Sequence, residues 1–318
     1  MAGTSTFDTY LSVGIREDLL DVIYDISPSD TPFVSNVPSG SSKGTFHEWQ
    51  KDSLAAPADT PVPEGADATP AALTPTVRLG NYTQINEKSW IISGTDLQAD
   101  NAGRGVEDAY QEAKKGLELR KDVEYAIVGT NKPYSAGTGN AGGAPAARES
   151  ASVTSWIATN ENKAGDGTTP TGDGSDARVD GTPRAFTEAL LEDVIDKCYL
   201  AGANPTILMC NTNQKRVISG TFTGRATAVD ATVTDKRVVN AVDFYESDYG
   251  IMSIVPNRYM RQSEVFLLDP SLWSVDYHRP YFTKDLAVTG DNKKRQMIVE
   301  WTLKCGEEAG NGIVADLS

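Results

Sequence analysis

A chain of 318 residues is long enough for two packed lobes, because a single hydrophobic core stops growing at roughly 250–300 residues. Hydrophobic residues make up 39% and charged residues 23%, as in a folded protein, and no run approaches the roughly 20 apolar residues of a membrane span. The 44 acidic residues outnumber 29 basic ones for a net charge of −15, a field that repels phosphate and argues against a dedicated nucleic-acid reader.

In chain order, Ile15 to Ile26 places Ile15, Leu19, Val22, Ile23 and Ile26 on one helical face, ending at Ser27-Pro28. Met1 to Tyr10 carries no basic region followed by an apolar stretch, so no secretory leader is expected. Phe46 to Lys51 reads as a strand, with Thr76 to Leu79 and Tyr82 to Ile85 as its return around a proline-rich tip. Both faces of this ribbon mix polar and apolar residues, so it needs outside support, expected from a neighbouring subunit.

Arg104 to Val128 predicts the longest helix, a rod of roughly 35 Å with Val106, Ala109, Tyr110, Ala113 and Leu117 as its apolar stripe. Glu118, Lys121, Asp122 and Glu124 read as its solvated faces, and Gly116 within it hints at close packing. Residues 131–183 are rich in Gly, Thr, Asp and Ser and read as a surface insertion in which only Val153 to Ile157 stands out. Thr187 should cap a helix with Leu190, Leu191, Val194, Ile195 and Cys198 inward and Gly202 as its stop. A buried strand at Thr206 to Cys210 and a helix at Asn213 to Ser219 follow, then strands at Ile251–Val255, Val265–Leu268 and Gln296–Leu303. Helices and strands share both halves, so the fold class is α+β.

The residues offer little chemistry. There is no GxSxG, Walker-type, HExxH or strand-linked GxGxxG pattern, and no catalytic, cofactor or metal site is expected. Cys198, Cys210 and Cys305 lack metal-ligand spacing and read as buried thiols, with only His47 and His278 to join them. Asp166-Gly167-Thr168 and Asp173 to Asp176 lack the closing Glu and flanking helices of a calcium loop. Trp273, Tyr277, His278, Tyr281 and Phe282 resemble a carbohydrate platform but read first as loop packing.

The order of elements resembles the Hong Kong-97 fold of tailed-phage major capsid proteins: a loose arm, a long ribbon, a spine helix, a second α+β lobe and a returning strand. Local motifs resemble a family of such proteins long catalogued as a domain of unknown function. They include Asp30-Thr31-Pro32-Phe33, His47-Glu48-Trp49-Gln50, Asn81 to Ile85, Tyr245 with Ser247 to Gly250, Val255-Pro256-Asn257-Arg258, and Lys294-Arg295-Gln296. The resemblance implies an N-terminal arm at 1–44, an extended loop at 45–93 and a peripheral domain with spine helix at 94–130. The insertion at 131–183, an axial domain at 184–285 and a returning peripheral strand at 286–318 complete it. It implies self-assembly into hexamers and pentamers of an icosahedral virion head around double-stranded DNA, assembled in the host cytoplasm. Scaffolding, portal and decoration proteins are the expected partners, with no membrane and no cofactor. Candidates for contact between subunits are Trp49, Asp52, Glu64, Tyr82, Glu118, Asp122 and Arg258. The alternatives are an encapsulin-like nanocompartment shell, and a carbohydrate-binding module or enzyme using the Trp273 to Phe282 cluster.

Overall fold

The computed structural model describes residues 27–68, 70, 72–99, 105–140, 144–222 and 243–318. The amphipathic segment Ile15 to Ile26 lies outside the described residues. A four-stranded sheet takes the order β1-β10-β11-β4, from β1 (Ser39–Ser41), β10 (Trp273–Asp285), β11 (Asn292–Cys305) and β4 (Gln84–Ser93). The spine helix, α3 (Glu107–Val128), follows the short helix α2 (Gly94–Gln98) and packs across β4 and β11, and the short helix α1 (Pro32–Asn36) packs on α3. Leu119, Val123, Ile127 and Val128 meet Trp90, Val299, Trp301 and Leu303 in one fully or nearly fully buried cluster.

The second sheet has six strands in the order β5-β12-β9-β6-β8-β7. They are β5 (Glu161–Asn162), β6 (Ile207–Cys210), β7 (Phe244–Ser247), β8 (Gly250–Pro256), β9 (Val265–Leu268) and β12 (Gly312–Val314). Because side chains alternate along a strand, Leu208, Cys210, Val265 and Leu267 face α4 (Glu188–Leu200) and α5 (Thr212–Thr221). Ile207, Met209, Phe266 and Leu268 join the core of the first sheet. Burial on both faces explains why these strands are continuous apolar runs rather than alternating ones. Leu191, Val194, Ile195 and Cys198 turn inward on α4, and Gly202 ends it at φ +82°. Leu190 is only half-buried.

Several sequence expectations are corrected. The ribbon is β2 (Phe46–Lys51) with β3 (Val77–Tyr82), paired from Phe46↔Tyr82 to Lys51↔Val77. Residues from Gln84 onward do not continue it but pair with β11 in the four-stranded sheet. The handover is enforced by Asn81, fully buried, whose amide donates to the Leu303 carbonyl at 2.7 Å and to Ser150 at 3.0 Å. The aromatic cluster at 273–282 is not a loop but part of the 13-residue strand β10. Pro280 hides that strand from sequence reading, and it is tolerated because the register shifts there and β1 pairs only as far as Tyr277.

The expected stripe on α3 is also reassigned, since Val106 and Leu117 are exposed while Glu107, Asp108 and Glu124 are buried. A Cβ on Gly116 would sit 3.7 Å from Met297 sulfur, an ordinary contact, so close packing does not require the glycine. Finally, 131–183 is not simply surface, because Val153, Trp156 and Ile157 are fully buried and Arg178 nearly so. The Asp-rich turns are occupied by their own backbone, Asp166 accepting from Thr182 N at 2.9 Å and Asp173 from Ser175 N at 2.8 Å.

Candidate assembly surfaces

The ribbon grows from a base held by its own chain. Trp49 packs on Trp156 with ring centroids 5.5 Å apart, and Phe46, Tyr82 and Tyr134 form an aromatic trio at 4.5–5.9 Å. His47 Nε2 meets the nearly buried Asp276 carboxylate at 2.9 Å, and Lys51 reaches Glu307 at 3.1 Å. Gly80 is needed at this base, because any Cβ would stand 2.6 Å from the Phe46 ring. Trp49 and Tyr82 are thus used inside the subunit.

Beyond Lys51 the described tip is free of strand pairing and exposed throughout. Leu54 and Leu73 are 98% and 97% exposed, and Val62 also faces water. Asp52, Asp59, Glu64 and Asp67 give 52–76 four acidic residues and no basic one. Glu64 sits in a turn closed by Ala66 N to Pro63 O at 3.2 Å, with Gly65 at φ +81° as a type II turn demands.

The four-stranded sheet leaves part of one face uncovered, since Glu300 and Thr302 on that face are buried while the residues nearer Asn292 are not. Residues opposite each other on antiparallel strands share a face, so Ile91 lies beside Lys294, Phe282 beside Ile298, and Lys284 beside Gln296. Ile85, Ile91 and Phe282 are exposed there. The other face receives α3 through a charged seam: Asp108 is met by Lys293 at 2.7 Å, Arg295 at 3.0 Å and Trp90 Nε1 at 3.1 Å. Burial alone would raise the Asp108 pKa, but these donors hold it below the usual carboxylate range.

Glu118 and Asp122 are spoken for within the chain, by Lys115 at 2.8 Å and Lys88 at 2.6 Å. Arg258 is exposed and makes no ion pair among the described residues. Sequence reasoning missed the groups that tie the lobes together. Glu124 is wholly buried and accepts from Phe33 N at 2.8 Å, Val34 N at 2.9 Å and Asn257 Nδ2 at 2.6 Å. Burial pushes its carboxyl up, against those hydrogen bonds. Glu300 is nearly buried and accepts from Thr83, Arg148 and Arg279; burial would raise it, but these partners keep it low. The readable signal for Glu124 was its place between Val123 and Ile127, one turn after Arg120.

Nucleophiles are poorly disposed for chemistry, since burial pushes the Cys198 and Cys210 thiols up to about 12. Trp273 is buried with its indole N–H on Asn311 Oδ1 at 2.7 Å, so the aromatic cluster contributes its largest ring to the core rather than to a sugar platform. Among the described residues no three His, Cys, Asp or Glu side chains gather as a metal site, and no helix is long and apolar enough to cross a membrane.

A shell subunit should carry extended elements and intersubunit faces instead of a pocket, and comparison with known proteins decides the matter. The family model described as SU10 major capsid protein matches residues 2–318. The chain belongs to the SU10 major capsid protein family. A relative, the major capsid protein of Escherichia phage Phieco32, is 27% identical over 99% of this chain and 97% of its own length. Among solved structures, the cyanophage A-1(L) capsid asymmetric unit matches with TM-score 0.66 and 11% identity over 98% of both chains. The capsid of a native GTA particle matches with TM-score 0.65 and 10% identity over 98% of this chain and 97% of its own. Similarity at this identity speaks to the fold, which is the Hong Kong-97 type expected. As a major capsid protein, the chain is the repeated structural subunit of a tailed-phage icosahedral capsid. The nanocompartment alternative is not favoured.

Proposed function

We propose that subunits form hexamers and pentamers, and that the ribbon tip of one subunit lies on the uncovered sheet face of the next. The observation that carries this is the chemical match between two exposed surfaces. The tip presents exposed Leu54, Val62 and Leu73 with acidic residues only. The sheet face presents Ile85, Ile91 and Phe282 with Lys284 and Lys294, and its one exposed carboxylate among these positions, Glu87, is held by Gln296. Each such contact is modest, but contacts repeated through a closed lattice act together. Asp52 and Glu64 then serve as ribbon contacts with the neighbour, and Arg258 contributes from its exposed turn. Trp49 and Tyr82 brace the ribbon, while Glu118 and Asp122 reach the neighbour only by sharing their lysines.

In this reading the four-stranded sheet and α3 form the peripheral domain, and α4, α5 and much of the six-stranded sheet form the axial domain. The acidic excess keeps contact with packaged double-stranded DNA weak and non-specific. Scaffolding, portal and decoration proteins complete the assembly in the host cytoplasm.

Electron microscopy of the purified chain, with and without a phage scaffolding protein, tests the assembly. Closed shells or rings of five and six are expected, and a monodisperse monomer under every condition would overturn it. Deleting 57–70 should leave a folded protein that fails to form stable shells. Shells of normal stability from that deletion would refute the ribbon contact.

A further inference from the structure

The outer edge of β4 is bare. This strand closes one side of the four-stranded sheet and pairs only with β11. Gly94 N donates to Asp291 O at 3.1 Å in the register of that ladder. Backbone groups alternate in direction along a strand, so Gln84, Asn86, Lys88, Trp90 and Ile92 turn theirs to β11. Thr83, Ile85, Glu87, Ser89 and Ile91 turn theirs away. At Thr83 these outward groups are met, the N–H by Thr45 O at 2.8 Å and the carbonyl by Arg148 Nε at 3.3 Å. At Ile85, Glu87, Ser89 and Ile91 they have no partner among the described residues, and all four residues are exposed. An open edge is a template for another chain, and natural edges are blunted with proline, a bulge or a lysine. Residues 84–93 hold no proline, their register on β11 has no shift, and Lys88 is tied to Asp122 of α3 at 2.6 Å.

The ribbon tip carries a segment that fits this edge. Five prolines interrupt 57–75, but Asp52 to Ala56 has none, runs on directly from β2 and is exposed throughout. Within it, Ser53 N is held by the Asp52 carboxylate at 2.9 Å, and the other backbone groups have no partner among the described residues. Five strand residues reach about 17 Å, inside the roughly 24 Å from Ile85 to Ile91. Laid antiparallel with Leu54 opposite Ser89, the segment turns the main chain of Asp52, Leu54 and Ala56 toward β4. Ser53 N then points away and keeps its own partner. Leu54 comes to the uncovered face, and Asp52 stands opposite Ile91, in the row that holds Lys294. The small side chains of Ser53 and Ala55 take the side of α3. The reverse direction would set Asp52 against Glu87.

We propose that Asp52–Ala56 of one subunit adds as a fifth strand to the β4 edge of the next, bonded through the main chain to Glu87, Ser89 and Ile91. This rests on the reading that the tip reaches the neighbouring sheet, and it names how the tip is held there: by backbone at an edge rather than by side chains across a face.

Leu54→Cys, paired in turn with Ser89→Cys on β4 and Phe282→Cys on β10, tests this by mild oxidation of assembled shells, in which the native cysteines are buried. Bonds between chains with Ser89→Cys, and none with Phe282→Cys, are expected from non-reducing gels and peptide masses. Bonds with Phe282→Cys, alone or as well, would keep the tip on the neighbour's sheet but overturn strand addition. No bond in either pair, or bonds within one chain only, would overturn both readings. A single Ser89→Cys that links two chains would give the edge to a second β4 and overturn the proposal too. Ser89→Pro tests it without cysteine, because it removes an N–H that faces outward and leaves the β11 bonds of Lys88 and Trp90 in place. The unfolding midpoint of the unassembled chain should hardly move. The concentration needed for assembly should rise at least about 10-fold, as loss of about 1.4 kcal/mol requires. Shells that form at the parent's concentration would refute the strand addition.

Discussion

Replacing Glu124 by alanine should be among the most damaging single changes in this subunit. The carboxylate is fully buried and accepts three hydrogen bonds, from Phe33 N, Val34 N and Asn257 Nδ2. Alanine leaves three donors without a partner, and each buried unsatisfied donor costs about 1–3 kcal/mol. The gain from no longer burying a carboxylate offsets part of this, and water entering the space offsets more. A net loss of about 3–5 kcal/mol remains, concentrated on the contact between α1, α3 and the Asn257 turn. Denaturant unfolding of the unassembled chain should read it as a lower midpoint for the phase that reports this core. Asn257→Ala shares one of the three bonds, so the double variant should be less destabilised than the sum by about 1 kcal/mol or more. A Glu124→Ala protein within 1 kcal/mol of the parent, or strict additivity with Asn257→Ala, would refute the reasoning.

Gly116→Ala should stabilise the chain by about 1 kcal/mol, because helix propensity rises and the added methyl meets Met297 only at ordinary contact distance; a lower midpoint in the same unfolding experiment would contradict this. Glu264 is nearly buried beside Arg261 and Thr154, and burial pushes its carboxyl up to about 7. Its folded-state pKa stands above the unfolded value near 4.5, so the folded protein takes up a proton as pH falls. Stability should therefore rise through this group from about pH 7 down to about 4.5, and Glu264→Gln should remove that increment; parallel stability–pH curves for the two proteins would refute the assignment. Cys198 and Cys210 are buried, with thiols pushed up to about 12, so alkylation at pH 8 should be negligible until denaturant is added. Mass spectrometry that finds either thiol modified in the native protein would show the burial to be wrong.

Local periodicity was enough for α4 and the strands at β6, β8, β9 and β11, and for the existence and extent of α3 though not for which of its sides is buried. It was not enough for β10, where Pro280 and a run of aromatics obscure a strand whose proline falls at a register shift. Nor could it separate the ribbon from β4, because Tyr82 and Gln84 belong to different sheets although only Thr83 lies between them. Trp49 and Tyr82 were legible as candidates for contact, but the partners that hold them, Trp156 and Tyr134, are supplied from a stretch too polar to read as core.

Carboxylates on α3 mark the same limit. A sequence shows that Asp108, Glu112 and Glu124 are charged, and the default for charge on a helix is water. Lys293, Arg295, Trp90, Asn257 and two backbone N–H groups converge on them, and only that convergence makes the burial of Asp108 and Glu124 affordable. By itself, the sequence determined the composition of the parts: an acidic tip without cations, a stiff helix, buried runs for a central sheet and the motifs of a capsid family. The tertiary structure decided which face of each part is used within the subunit and which is left bare. Local spacing sets a residue's side of a helix or strand, whereas what stands opposite depends on other elements that the tertiary fold brings against it.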